Sequence, residues 1–296
     1  MPELPEVEAL AQDLRGRLVD RAVTRVDLAA FSALKTFDPP LTALYGTLVD
    51  DVTRHGKFLD VSASGLHLVV HLSRAGWVRW RDSVPDKPPR PSNKSPLAAR
   101  VVLDPSTGSG QATHSGVDLT EAGTRKRLAI YVVRDPAEVP GISSLGPDPL
   151  ADDFNIDVLR GILAEAGRAQ IKGVLRHQGT VAGIGNAYSD ELLHAARMSP
   201  FKPASSIDDA ELRVLYDAIR TVLGDAVERS RGLAAAELKG EKKSHLAVHG
   251  RAGQPCPVCG DTVREVSFAD SALQYCPTCQ TGGKPLADRR MSKLLK

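Results

Sequence analysis

Four cysteines are the only ones among the 296 residues, and they fall as two pairs, Cys256-Pro-Val-Cys259 and Cys276-Pro-Thr-Cys279, separated by 16 residues. Two Cys-x-x-Cys knuckles at this separation suit a four-thiolate metal site, because the intervening residues can form a hairpin that returns the second pair to the first. Thiolates are soft donors, and four of them leave no open position, so the expected ion is one structural Zn2+. The N-terminus carries a second candidate, Met1-Pro2-Glu3. Removal of Met1 would leave Pro2 with a free secondary amine. Such an amine titrates near pH 8, far below a lysine, and the positive end of a following helix lowers it further. In its neutral form it can attack an aldehyde-like carbon, and the iminium that forms stays cationic and withdraws electrons. Glu3, if buried, could act as the neighbouring general acid. Acidic residues in a first helical turn are also ordinary complements of the helix dipole. The third candidate is Val181-Ala-Gly-Ile-Gly-Asn186-Ala-Tyr188. Its glycines allow close backbone approach, and a helix starting at Asn186 could hold a phosphate; the same residues also suit a plain helix-turn-helix with Asn186 as cap.

These residues need elements to position them. Residues 5–18 form an amphipathic helix by pattern, with Pro5 at its start and Val7, Leu10, Leu14 and Leu18 on one face. From Arg21 to about Leu103 the pattern changes to short β-rich runs broken by turn residues. The runs GVDLT and RLAIYVVRD, joined by EAGT, suggest a hairpin. Residues 85–96 and 105–116 have loop compositions. The first half is therefore expected to be a helix-capped β-sandwich or barrel. Prolines cluster between 135 and 150, and beyond them the pattern turns helical, with spans at 156–166, 169–177, 187–196 and 207–231. Residues 232–248 are polar and Lys-rich and suggest a mobile connection. The expected organisation is α+β: 1–134 the sandwich, 146–240 a helical domain, 250–280 the cysteine module and 281–296 a basic tail.

The net charge of +2 conceals an asymmetry. Residues 229–296 carry 12 Lys and Arg against 6 Asp and Glu, whereas the remainder is net acidic. A basic end suits a polyanionic partner. No apolar run approaches the ~18 residues of a membrane span. The acidic start MPELPEVEAL lacks the features of a signal peptide, which points to the cytoplasm.

Taken in order along the chain, the start Pro2-Glu3-Leu4-Pro5-Glu6-Val7-Glu8, the Lys57 of HGKFL, Leu145-Gly-Pro-Asp-Pro-Leu150, Gln170-Ile-Lys172, the Gly183–Asn186 turn, His249-Gly-Arg251-Ala-Gly and the terminal four-Cys module resemble the formamidopyrimidine-DNA glycosylase / endonuclease VIII family. The resemblance implies a sandwich, a helix–two-turns–helix domain and a zinc finger, in a monomer that binds damaged or abasic-site DNA on the nucleoid. It implies base-excision repair: removal of an oxidised base and cleavage of the abasic site. Carried over by position, Pro2 would attack C1′, Glu3 would protonate the opening sugar, and Glu6 would share their pocket. Lys57 and Asn186 would each hold a phosphate. Lys172 and Arg251, in matching stretches, would contact DNA.

Three departures stand against this pattern. Arg74 occupies the place of the family's void-filling Met or Leu in HLSRAG. Asp135-Pro136 is followed by Ala137-Glu138-Val139 instead of Arg-Arg-Phe, so the probing Arg and the aromatic wedge are missing. Ser271 replaces a phosphate-binding Arg of the zinc hairpin. Arg74, or the tail residues Arg289 and Arg290, could supply part of what is lost. The alternative reading is a catalytically weak DNA-binding paralogue that senses lesions. An N-terminal-proline tautomerase would have no use for the zinc module or the basic end.

Overall fold

The computed structural model describes residues 1–92, 94–105, 113–268 and 271–287. Arg289, Arg290 and most of the expected tail, with the centre of the 105–116 loop, lie outside the described residues. The chain divides into two units, Met1–Ser144 with Ser230–Lys239, and Leu145–Arg229 with Gly240–Lys296.

The first unit opens with α1 (Leu4–Leu18). Glu3 is its N-cap and Pro5 stands in the first turn, where a missing N–H costs nothing. Glu3 and Glu6 close a capping box, with the Glu3 N–H donating to Glu6 Oε2 at 2.8 Å. Leu4, Val7, Leu10, Leu14 and Leu18 are buried. They meet two antiparallel four-stranded sheets, ordered β1-β6-β7-β5 and β2-β3-β4-β8. The strands are β1 (Val23–Leu28), β2 (Val49–His55), β3 (Phe58–Ala63), β4 (Leu66–His71), β5 (Gly76–Arg81), β6 (Leu97–Pro105), β7 (His114–Glu121) and β8 (Ala129–Val133). Alternation along β3 sends Leu59, Val61 and Ala63 to the main core. Phe58 belongs instead to a small cluster with Val69, Val133 and Val139.

The expected hairpin of GVDLT with RLAIYVVRD does not form. β7 pairs with β5 and β6, whereas β8 pairs with β4 in the other sheet. Buried Glu121 at the end of β7 explains the crossing: its carboxylate accepts the backbone N–H groups of Arg127 and Leu128 at 2.8–2.9 Å and turns the chain from one sheet to the other.

A short 3-10 turn at Pro136–Glu138 and the helical turn α2 (Pro140–Ser143) follow β8. Asp135 Oδ1 accepts the Ala137 N–H at 2.8 Å, and the Asp135 N–H donates to Glu138 Oε1 at 3.0 Å. Val139 is fully buried. A Cβ on Gly141 would come within 2.5 Å of the Phe58 ring, so the segment lies tightly on the sheet.

The second unit contains α3 (Ile156–Ala166), α4 (Ile171–Arg176), α5 (Asn186–Ala195) and α6 (Asp209–Ser230). Asn155 caps α3 by accepting the N–H groups of Asp157 and Val158. Leu159, Leu163, Leu192, Leu212, Leu215, Ile219 and Leu223 share one core. Gly183 takes φ +84°, which glycine adopts without strain. Gln178 straps that turn through Gly183 N and Ile184 O at 3.0 and 2.7 Å. The cysteine module adds the hairpin β9 (Arg264–Ser267) and β10 (Ala272–Tyr275) and the turn α8 (Pro277–Thr281).

The polar stretch after residue 231 is more ordered than its composition suggests. It contains α7 (Leu238–His245). Ala235 and Leu238 join the core of the first unit, and Trp77 Nε1 donates to Ala235 O at 2.8 Å. The Lys239 ammonium lies 4.3 Å from the Trp77 ring centroid.

Candidate functional site

Pro2, Glu3 and Glu6 are all buried, with Glu3 3% and Glu6 2% exposed. A carboxylate is placed at such depth only if its oxygens find donors, and the start of α1 supplies unpaired backbone N–H groups for both. Glu6 thereby holds the backbone of Glu3, the residue next to Pro2. Its part is to position, with the carboxylate fixed by the capping box.

Lys57 lies in the turn between β2 and β3, and is itself buried at 7% exposure. Arg54 ties this turn to α1: its Nε donates to Glu8 Oε2 at 3.0 Å and its Nη1 to Gly56 O at 3.2 Å. His71, at the end of β4, is the registered partner of Phe58, and their rings lie 4.6 Å apart. Burial, then the Lys57 ammonium, lowers its pKa from 6.5 to about 4. His71 was missed as a site residue in the sequence. The signal is pairwise: in a β3–β4 hairpin, the residue opposite Phe58 must sit beside Lys57. The imidazole is thus neutral beside the Lys57 ammonium.

Arg74 lies in the loop between β4 and β5 and is exposed. Val139, at the place of the family's aromatic wedge, is packed on Val69 and Val133 and cannot reach a ligand without unfolding its segment.

In the second unit the candidates from the sequence are Lys172, Asn186 and Arg251. Lys172 is 5% exposed and its Nζ donates to Asp190 Oδ1 at 2.6 Å, to Ser189 Oγ at 2.7 Å and to Asn186 O at 3.3 Å. Its ammonium is engaged by these buried acceptors within the second unit. Asn186 is the first helical residue of α5; the N-cap is Gly185. Its Nδ2 donates to Ala272 O on β10 at 2.7 Å, so a phosphate would have to take this donor in exchange. Arg251 is partly buried, with Nη1 at 3.4 Å from Leu246 O. Asn186 Oδ1 and Arg251 Nε are the buried side-chain atoms without a hydrogen-bond partner among the described residues. Buried N–H groups without a partner are uncommon in folded chains.

Asp190 and Glu191 bind α5 to the cysteine module. Asp190 Oδ2 accepts from His249 Nδ1 at 2.7 Å and from Gln274 N at 3.2 Å. Glu191 accepts the N–H groups of Ala247, Val248 and His249 at 2.7–3.0 Å. Burial raises the Glu191 pKa against the pull of those three donors.

The ligand atoms of Cys256, Cys259, Cys276 and Cys279 lie within 4.8 Å of one another. Sγ separations of 3.9 Å (Cys256–Cys279) and 3.3 Å (Cys259–Cys276) bracket the ~3.8 Å edge of a tetrahedral zinc–thiolate site. Burial pushes the Cys276 thiol up to about 11, and burial with thiol crowding moves Cys279 upward too. Thiols gathered this closely give up their protons on binding a cation. The donor set therefore fits a closed, structural Zn2+ held by all four cysteines.

Comparison with known proteins agrees with these features. Residues 1–126 match the formamidopyrimidine-DNA glycosylase N-terminal domain, 145–236 its H2TH domain, and 253–282 the zinc finger found in formamidopyrimidine-DNA glycosylase and isoleucyl-tRNA synthetase. An uncharacterized formamidopyrimidine-DNA glycosylase-like protein of Mycobacterium tuberculosis is 60% identical over 160 residues, 54% of this chain and 99% of that protein. The formamidopyrimidine-DNA glycosylase of Symbiobacterium thermophilum is 36% identical over 98% of this chain and 93% of its own length. The Lactococcus lactis enzyme in complex with abasic-site DNA shares the fold at TM-score 0.80 and 24% identity, covering 94% of this chain and 99% of that one. No helix among the described residues is long and apolar enough to cross a membrane. The buried N-terminal carboxylates, the Lys57 turn, the helical domain and the four-cysteine finger together place this chain in the formamidopyrimidine-DNA glycosylase family.

Proposed function

We propose that this protein is a DNA glycosylase that also cleaves the abasic site it creates, through a Schiff base on Pro2. The observation that carries the reading is the buried start of α1, where Glu3 and Glu6 flank the backbone next to Pro2. With Met1 removed, the neutral Pro2 nitrogen attacks C1′ of the damaged nucleotide; the base leaves with its bonding electrons and takes up the proton that the Pro2 nitrogen gives up. Glu3 delivers a proton to the ring oxygen as the sugar opens, giving a cationic iminium. That iminium acidifies the adjacent C2′–H; loss of this proton expels the 3′ phosphate by β-elimination. Hydrolysis then returns the free amine. Lys57, beside His71, is the candidate phosphate grip in the first unit. Arg251, with an unpaired buried Nε–H, and Asn186 are the candidates in the second.

Borohydride trapping on abasic-site DNA tests this reading. The expected result is a covalent adduct on the N-terminal peptide of a chain whose mass lacks Met1. An adduct on a lysine, or full trapping by protein that retains Met1, would refute it. Glu3→Gln is expected to lose base excision more than trapping of a pre-formed abasic site, whose sugar already opens unaided.

A second reading, a lesion-sensing paralogue with little catalysis, is favoured by one observation: the segment at the wedge position is folded onto the sheet by Val139. It expects tight binding to abasic-site DNA with no adduct.

A further inference from the structure

The four cysteine sulfurs do not obtain their hydrogen bonds from the same source. Cys259 receives the backbone N–H of Asp261, and Cys276 that of Cys279, both within their own knuckles. Cys256 is met from outside the finger: His194 Nε2 lies 3.3 Å from its Sγ, across 62 residues of sequence. His194 is 5% exposed and Cys256 3%, so the contact is sheltered from solvent. Four thiolates around a divalent cation carry two surplus negative charges, and N–H donors to sulfur disperse them. Groups of this kind around a metal usually matter about 10- to 100-fold in its affinity.

The place of His194 in the fold gives the contact a second consequence. It stands in the last turn of α5, the helix whose first residue, Asn186, donates to Ala272 O on the zinc hairpin. Asp190 and Glu191, between them, hold Gln274 and residues 247–249. One helix thus touches the hairpin at its start, the approach to the first cysteine at its middle and a metal ligand near its end.

We propose that His194 is a positioning residue of the zinc centre, donating Nε2–H to the Cys256 thiolate and making metal retention depend on α5. The donated bond fixes the Cβ–Sγ direction of this ligand, so it is held ready before metal arrives. Loss of the donor leaves the four ligands in place but frees Cys256 to dissociate first.

The test uses the full-length zinc-loaded protein and follows zinc transfer to an excess of chromogenic chelator. His194→Phe keeps an aromatic ring of similar size and removes the donor; it is expected to release zinc about tenfold faster. His194→Gln keeps an amide N–H and is expected to stay within about threefold of the parent. In cobalt-substituted protein, the thiolate-to-metal charge-transfer band should shift in His194→Phe and remain in His194→Gln. Equal release by parent and His194→Phe overturns the proposal. Equally fast release by both variants also overturns it, since packing would then be the whole role. If His194→Phe does not fold, the parent protein decides: loaded with NMR-active cadmium, it should show scalar coupling from the metal to the His194 imidazole proton through the hydrogen bond, and absence of that coupling overturns the proposal.

Discussion

Acidification should loosen the first unit through His71. The folded state holds this imidazole neutral, with its pKa lowered to about 4 by burial and by Lys57, whereas the unfolded chain titrates at 6.5. Between these values the unfolded state binds the extra proton, so stability falls as pH falls through this window and is flat above it. Linkage gives the size: going from about pH 7.5 to about pH 5 multiplies the unfolded state's proton-binding factor roughly 30-fold but the folded state's hardly at all, a loss of about 2 kcal/mol. The two tryptophans, Trp77 and Trp80, both lie on β5 of this unit, so their fluorescence during urea unfolding reports on it. The variant His71→Gln removes the titration and retains a polar side chain beside Phe58. It is expected to be less stable at neutral pH through lost packing, but to lose about 2 kcal/mol less than the parent on acidification. His55 and His67, both paired with buried Asp60, remain in both proteins and cancel in the comparison. A pH dependence in His71→Gln that matches the parent within about 0.5 kcal/mol would show that the half-buried His71 is not held neutral by the fold.

Lys172→Met should destabilise the helical unit by about 3–5 kcal/mol in thermal or urea unfolding, because it strands the Asp190 carboxylate. Folded Lys172→Met should keep the parent's salt dependence of DNA binding, since its ammonium is engaged internally; a slope smaller by about one would show Lys172 to be a phosphate contact. Chelation of zinc should weaken DNA binding while leaving Trp fluorescence of the first unit unchanged, since a hairpin of this size cannot order itself by apolar burial alone; undiminished affinity in Cys276→Ser/Cys279→Ser refutes it. With Val139 buried and only charged Arg74 exposed at the place of the void-filling side chain, excision should be faster in a bubble or single strand than in duplex, by about tenfold for each 1.4 kcal/mol of unpaid unstacking. Faster single-turnover excision in the paired duplex refutes that.

The zinc ligands, the start of α1 and the long helices were legible in the chain because each is encoded within a few residues. Knuckle spacing fixes where two thiols point, Glu3-Leu-Pro-Glu6 specifies a helix start, and a stripe of leucines specifies which face is buried. The resemblance to a known family added Lys57 as a site residue, again from a short motif, and Asn186 was already a candidate from its glycine-rich turn. What spacing could not convey was the partner of each polar group. Lys172 looks like any basic residue in sequence, and only the buried Asp190 on the neighbouring helix turns it into a strut. GVDLT and RLAIYVVRD have strand patterns in either sheet, and buried Glu121 decides that they separate. The stretch after residue 231 is polar on average, yet Ala235 and Leu238 find a core and Ala235 O meets the Trp77 indole. His71 acquires its low pKa from the neighbour that hairpin register gives it, and Cys256 acquires its imidazole from 62 residues away. Periodicity and motif are local and survive in the bare sequence. Pairing and desolvation are properties of the packed chain, because a buried charge or donor takes its character from whatever group the fold brings within hydrogen-bond distance.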